Sequence, residues 1–384
     1  MSRGGVEPAP AAAEPELARR YHDPRYRVLL ADLVVGLAFL GLATFTPPGH
    51  ALAGVVDGLP EALGAALLGA LLVVLSALLR LPFSVWLGLT HEREFGFSRQ
   101  SGKDFALDRV KSVAIGALLT GAGMAGLVGA ASLDPSWWPL LVAVGAALLV
   151  LLLSFVAPVV LEPVFNKFRP LDDPDLRDAV LELAEATGVP VREVLVADAS
   201  KRTTKLNAYV SGLGATRRVV LYDTLVDTAT TPEVLTVVAH ELGHRRYRHV
   251  ALGTAIGMGG AAVFVLVLWA LLSVEAVLEA IDASGAGDAR VVPFVLLVGS
   301  VLGLLVAPLQ AALSRRWEYA SDRFAVEQTG DLPAFEAAFG RLSEANLPDP
   351  EPPRLVYLWL FSHPTVEERV AAARRLAGSS TVPA

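Results

Sequence analysis

TTPEVLTVVAHELGHRRYRHV, residues 230–250, holds the key to the whole chain. Within it His240, Glu241 and His244 spell H-E-x-x-H. On a helix, residues four apart stack on one face, so two imidazoles can grip one metal ion while the carboxylate between them addresses what the metal binds. The local sequence predicts such a helix. Thr231 suits an N-cap, Pro232 the first helical position, and Val234, Leu235, Val238, Ala239 and Leu242 offer apolar surface for burial.

The surrounding chain has 384 residues, 53% of them hydrophobic and 18% charged, with mean hydropathy +0.51. Its apolar residues gather in long runs, which marks a membrane protein rather than a soluble domain. Cysteine is absent, which excludes disulfides, thiolate metal ligands, a cysteine nucleophile and prenylation of this chain itself. Any metal is left to His and carboxylates. The net charge of -7 comes with no basic block, so nucleic acid is not an expected partner.

Working outward, residues 1–24 read as a disordered tail with no signal-peptide pattern. Residues 25–160 carry four apolar runs: Val28–Phe45, one within Leu63–Leu89, Val113–Ala131 and Trp138–Val160, with a polar loop at 90–111. The second run contains Arg80 and Pro82 and is open to a break. Residues 161–250 form a mixed insert. It has a helix over Asp175–Thr187, a strand over Glu193–Ala197, a hairpin from Leu206–Ser211 and Arg217–Asp223 across a Gly-rich turn, and then the H-E-x-x-H helix. Two more runs, Ala251–Leu272 and Val292–Leu313, fill residues 251–313; a helical part follows over 314–376 and a short tail over 377–384. The expected fold is mainly α: a polytopic membrane helix bundle with a small cytoplasmic α+β unit. Clustered Lys and Arg on alternate connections place both termini and the insert on the cytoplasmic side.

A third ligand is to be sought past the sixth run, in SRRWEYASDRFA, residues 314–325. Glu318 and Asp322 are four apart, so both carboxylates share a helix face. His240, His244 and Glu318 would leave the fourth position of one tetrahedral Zn²⁺ open for water. Asp322 is then suited to accept the free ring N–H of a ligating His. Tyr222 and Arg315 are further candidates to support the ligands. His22, His50, His91 and His249 have no partner at ligand spacing and read as solvated or interfacial.

These residues resemble the gluzincin metallopeptidases, and the membrane layout narrows the resemblance to the type I CAAX prenyl proteases (the Ste24 type) and the bacterial heat-shock protease HtpX. EREFGFSRQS, EPVFNKFRPL, NAYVSGLG with RRVVLYDTL, SRRWEYASD and SHPTVEER, in this order, are similar to the CAAX protease side. The resemblance implies a gluzincin-type zinc metalloprotease unit in which Zn²⁺ brings the pKa of a water to about 7 and Glu241 acts as general base. It also implies that His363 lines the substrate side and that Arg369 meets a substrate carboxylate. Asn207, Ala208 and Tyr209 resemble an edge segment that holds a peptide by main-chain hydrogen bonds. The eukaryotic members have an additional span, so the internal chamber described for them is expected to be smaller or incomplete here.

The expected activity is therefore zinc-dependent endopeptidase cleavage at the cytoplasmic membrane surface, on a peptide or membrane-protein substrate that is prenylated or plain. A quality-control role like that of the heat-shock protease is the alternative. A non-catalytic scaffold is disfavoured because His240, Glu241, His244 and Glu318 are all present. A transporter is disfavoured because Asp32 and Arg80 are the only notable charges within the runs and no internal repeat is visible.

Overall fold

The computed structural model describes residues 15–157, 160, 162–212 and 217–379. Among these, six helices are long and apolar enough to cross a membrane. Helix α1 spans Pro15–Phe45, α2 Glu61–Leu79, α3 Gly102–Leu133 and α4 Trp138–Val156. The mixed region contributes α5 (Pro174–Ala186) and α6 (Thr231–Arg246), and the membrane returns with α7 (His249–Leu272) and α8 (Val292–Thr329). Three further helices, α9 (Leu332–Asn346), α10 (Arg354–Leu360) and α11 (Val366–Ser379), close the chain.

The membrane core forms where α2 meets α3. Ala65, Leu68 and Leu72 pack on Leu127, Val128 and Ala131, joined by Val265 and Leu268 of α7 and Val295 of α8. A Cβ on Gly121 would stand 2.8 Å from the carbonyl oxygen of Ala66, so the absent side chain is what lets these two helices touch backbone to backbone. Leu118, Leu305 and Leu309 point outward instead, as a lipid-facing surface requires. The second apolar run is broken at Arg80, where α2 ends. Arg80 there donates through Nε to Asp32 Oδ1 at 2.7 Å, so the two charges within the runs neutralise each other.

A four-stranded sheet stands before the H-E-x-x-H helix, in the order β1-β2-β4-β3 (β1 Phe168–Pro170, β2 Glu193–Ala197, β3 Ala208–Ser211, β4 Arg218–Tyr222). β3 and β4 pair antiparallel, whereas β2 and β4 run parallel, with Leu195 opposite Val220. Part of the Gly-rich turn between β3 and β4, residues 213–216, lies outside the described residues. Val234, Val238 and Leu242 of α6 fill the space between this sheet, Val180 of α5 and Phe324 of α8. Burial of this apolar face fixes α6 against the sheet.

Three expectations need correction. Helix α1 begins at Pro15, inside the segment expected to be a disordered tail; residues 1–14 lie outside the described residues. The cause is Tyr21, fully buried and stacked on His91 with ring centroids 5.2 Å apart, while Arg25 Nη1 donates to Glu92 at 2.6 Å. The same contacts overturn the solvated reading of His91, whose Nε2 bonds the carbonyl of Tyr21 at 2.8 Å. At the other end α11 continues to Ser379, past the start of the expected tail, and residues 380–384 lie outside the described residues.

Candidate metal centre

Helix α6 starts one residue earlier than its sequence suggests. Thr230 is the N-cap, and its backbone N–H donates to Glu233 at 2.6 Å in a capping box, with Pro232 in the first turn. Arg341 of α9 donates Nε and Nη2 to the same carboxylate at 3.0 and 3.1 Å. Burial pushes the Glu233 carboxyl up, but these bonds outweigh it and hold it below the usual range.

Ten residues along, His240 faces α8. The approach of the two helices is set by Gly243, where a Cβ would meet Ser321 Cα at 3.1 Å and Phe324 Cβ at 3.3 Å. With no side chain in the way, Glu318 reaches both imidazoles. Its Oε2 lies 3.3 Å from His240 Nε2 and its Oε1 3.3 Å from His244 Nε2, and the two Nε2 atoms are 3.2 Å apart. Ligands held at about 2.0–2.1 Å by a tetrahedral Zn²⁺ stand about 3.3 Å from one another, and the two imidazole nitrogens and the Glu318 carboxylate, one oxygen toward each ring, converge at this spacing. Among the described residues no donor hydrogen-bonds Glu318 Oε2, which is buried with Arg369 Nη2 3.3 Å away, so its lone pairs are available to a cation. Among the described residues this is the one group of three such side chains that converges on a point. The residues fit a single zinc ion.

Behind His240 the polar groups are closely matched. Asp322 Oδ1 lies 2.9 Å from His240 Nδ1, and Arg369 holds the same carboxylate at both ends, Nη2 to Oδ1 at 2.6 Å and Nε to Oδ2 at 2.8 Å. The Arg369 guanidinium is buried and lies over the Phe339 ring, 4.3 Å from its centroid. Burial works against a charged His240, yet the carboxylates of Asp322 and Glu318 raise its pKa to about 9. Burial likewise pushes the Glu241 carboxyl up.

A cavity of about 440 Å³ opens beside these groups, lined by His240, Glu241, Glu318, His363 and Arg369 together with Asn207, Ala208, Phe339 and Asn346. His363 Nε2 lies 3.4 Å from Glu318 Oε1 and its Nδ1 bonds Ser362 Oγ at 2.8 Å; the ring is open to solvent on one side, and its partial desolvation at the cavity wall lowers its pKa. β3 is the edge of the sheet on this side. Asn207 Oδ1 accepts the N–H of Ala208 at 2.9 Å, and Tyr209 turns away, its hydroxyl 3.3 Å from Glu162.

Sequence reasoning missed several groups. Asn346 bonds both backbone groups of Leu206, accepting its N–H at 2.9 Å and donating to its carbonyl at 3.1 Å, and so anchors the lead into β3. Arg315, expected near the ligands, instead donates to the carbonyls of Phe361 at 2.6 Å and Tyr357 at 3.2 Å, which holds the loop carrying His363. Tyr222 ends β4 at the sheet. His22 and His50 bond the carbonyls of Leu347 and Thr44 at 2.8 and 3.0 Å, away from the ligands. His249, expected to be solvated or interfacial, is buried with its Nδ1 3.1 Å from His244 Nδ1. No periodicity could have flagged it, because a left-handed Arg248 (φ 58°) interrupts the helix before it.

Comparison with known proteins gives this geometry a family. Residues 16–167 match the family model described as CAAX prenyl protease N-terminal, five membrane helices, and residues 170–377 match that of peptidase family M48. An uncharacterized metalloprotease of Bacillus subtilis, YhfN, is 34% identical over 227 residues, covering 59% of this chain and 53% of that protein. The probable CAAX prenyl protease 1 of Schizosaccharomyces pombe is 30% identical over 305 residues, covering 78% of this chain and 64% of the relative. The chain thus spans between about half and two thirds of the length of these two relatives. The crystal structure of S. mikatae Ste24p superposes with a TM-score of 0.82 at 24% identity, over 94% of this chain and 88% of that one, so the fold is shared. With more than half of its length matched by one model, the chain belongs to peptidase family M48.

Proposed function

We propose that this protein is an integral-membrane zinc endopeptidase that cuts peptide or membrane-protein substrates at the cytoplasmic face of the bilayer. The observation that carries this reading is the donor face of His240, His244 and Glu318 with Glu241 beside it in one cavity. A zinc ion held there supplies Lewis-acid polarisation of the scissile carbonyl and acidifies water. The chain's own groups do the rest. Glu241 takes the proton of the attacking water and returns it to the leaving amine, a task helped by burial, which raises its basicity. His363, neutral and on the cavity wall, donates to the substrate carbonyl oxygen as it gains charge.

Asn207 and Ala208 border the cavity on the outer edge of the sheet, where Asn207 Oδ1 holds the Ala208 N–H and Arg245 the Val210 carbonyl; a substrate laid along β3 as an added strand takes the place of these contacts, with Tyr209 helping to hold that edge through Glu162. The guanidinium of Arg369 is committed to Asp322 at both ends. Its task in this reading is to hold that carboxylate, in place of the substrate contact that the resemblance implies. The Lys and Arg bias of the loops supports the cytoplasmic placement of the termini and the sheet.

Zinc content and peptide cleavage of purified protein, with and without Glu241→Gln, test the mechanism. The variant should keep its zinc and lose about 10²–10⁴-fold in rate; undiminished cleavage would sink it. A prenylated peptide set against its plain counterpart separates a CAAX-type substrate from a quality-control role. The chain contains no cysteine, so single cysteines placed at Arg99 or Asp172 report sidedness without background.

A further inference from the structure

Among the described residues, no carboxylate meets the outer nitrogen of His244, whereas His240 has Asp322 there. What His244 has is His249. The chain leaves α6 at Tyr247, passes through the left-handed Arg248 (φ 58°) and enters α7 at His249. That conformation is unfavourable for a residue with a Cβ and persists where the surroundings demand it. Here it swings the His249 imidazole back beneath α6. The ring is buried and lies flat on Trp317, with centroids 5.0 Å apart and planes 9° apart. Its Nδ1 then points at His244 Nδ1 over 3.1 Å.

The protons on these rings follow from the ligand set. His244 offers Nε2 to the cluster, 3.3 Å from Glu318, so a neutral His244 carries its hydrogen on Nδ1. That hydrogen needs an acceptor, and His249 Nδ1 is the atom opposite it. His249 therefore carries its own hydrogen on Nε2. It is not itself a member of the converging donor group.

We propose that His249 is a positioning residue for the metal centre, accepting the Nδ1–H of His244 and so fixing that ligand's tautomer and ring plane. The proposal rests on the zinc reading above. It also ties the site to both membrane helices that enclose it, since His249 opens α7 and Trp317 precedes Glu318 on α8.

Two substitutions separate the hydrogen bond from the packing. His249→Phe keeps a ring to stack on Trp317 and removes the acceptor; His249→Asn removes the ring and keeps an oxygen near the place of Nδ1. Zinc affinity of the full-length protein, measured by competition with a chelator, should fall about 10–100-fold in His249→Phe and stay near wild type in His249→Asn. The kcat should follow the same order. Wild-type affinity in His249→Phe, or an equal loss in both variants, would overturn the proposal. Wild-type protein that takes up no zinc would overturn the reading beneath it, and the proposal with it.

Discussion

Asp322 Oδ1 lies 2.9 Å from His240 Nδ1, while Nε2 of the same ring stands 3.3 Å from Glu318. One imidazole is thus held between two carboxylates four residues apart on α8. This is the arrangement in which an outer carboxylate orients a ligating histidine and raises its basicity. Asp322→Ala should weaken zinc binding about 10–100-fold, read by chelator competition. The same change leaves the buried Arg369 with only its 3.3 Å contact to Glu318 among the described carboxylates, so it costs up to about 3–5 kcal/mol and lowers the thermal midpoint. A variant as stable and as zinc-avid as wild type would refute the assignment.

Gly243 contributes to the site by taking up no room. A methyl group there meets backbone, Ser321 Cα at 3.1 Å, so α6 and α8 must move apart by a few tenths of an ångström. Gly243→Ala should therefore destabilise by about 1–3 kcal/mol and loosen zinc binding, because Glu318 moves with α8. Zinc stoichiometry after dialysis, together with the unfolding midpoint in detergent, checks both effects.

The capping carboxylate makes a pH-dependent contribution. Glu233 has its pKa lowered in the folded state, where the Arg341 and Thr230 bonds outweigh burial. Its stabilisation is therefore complete at neutral pH and is lost as the pH falls through the folded value. Glu233→Ala should cost about 0.5–2 kcal/mol at pH 7 and flatten the acid side of the stability profile. Unfolding midpoints of both proteins across the acid range should converge at the low end; a constant gap would count against the linkage.

Within the membrane region, removing one member of the Asp32–Arg80 pair should be worse than removing both. Asp32→Ala strands a guanidinium among apolar helices, while Asp32→Ala combined with Arg80→Leu strands nothing. Yield of folded protein in detergent should rank wild type and double variant above the single one.

Much of this architecture was legible because it rests on local rules. Spacing four apart named His240, His244 and Glu318, and alternation with turn residues found β2 and the β3–β4 pair at nearly their true limits. The parallel pairing of β2 with β4 was not visible, since it joins strands about twenty residues apart and leaves no local pattern. β1 escaped because three residues, one of them Pro170, are too few to show a period. Tyr21 and His249 were missed for a related reason. Each is buried by a partner far along the chain or across a break in the helix, and neither is predictable from its neighbours.

Helix α8 runs unbroken from Val292 to Thr329, a rod of about 57 Å. Pro308 lies inside its apolar half, and from there through Leu313 to Glu318 the helix is continuous. The reach of the site from the bilayer is therefore an integer, counted in residues after Leu313. One residue added there would turn every later side chain by about 100° and swing Glu318 out of phase with the two histidines. Evolution can change the bilayer-facing letters of this rod freely, but it can change their number only in steps that restore the phase, much as a gear accepts only whole teeth.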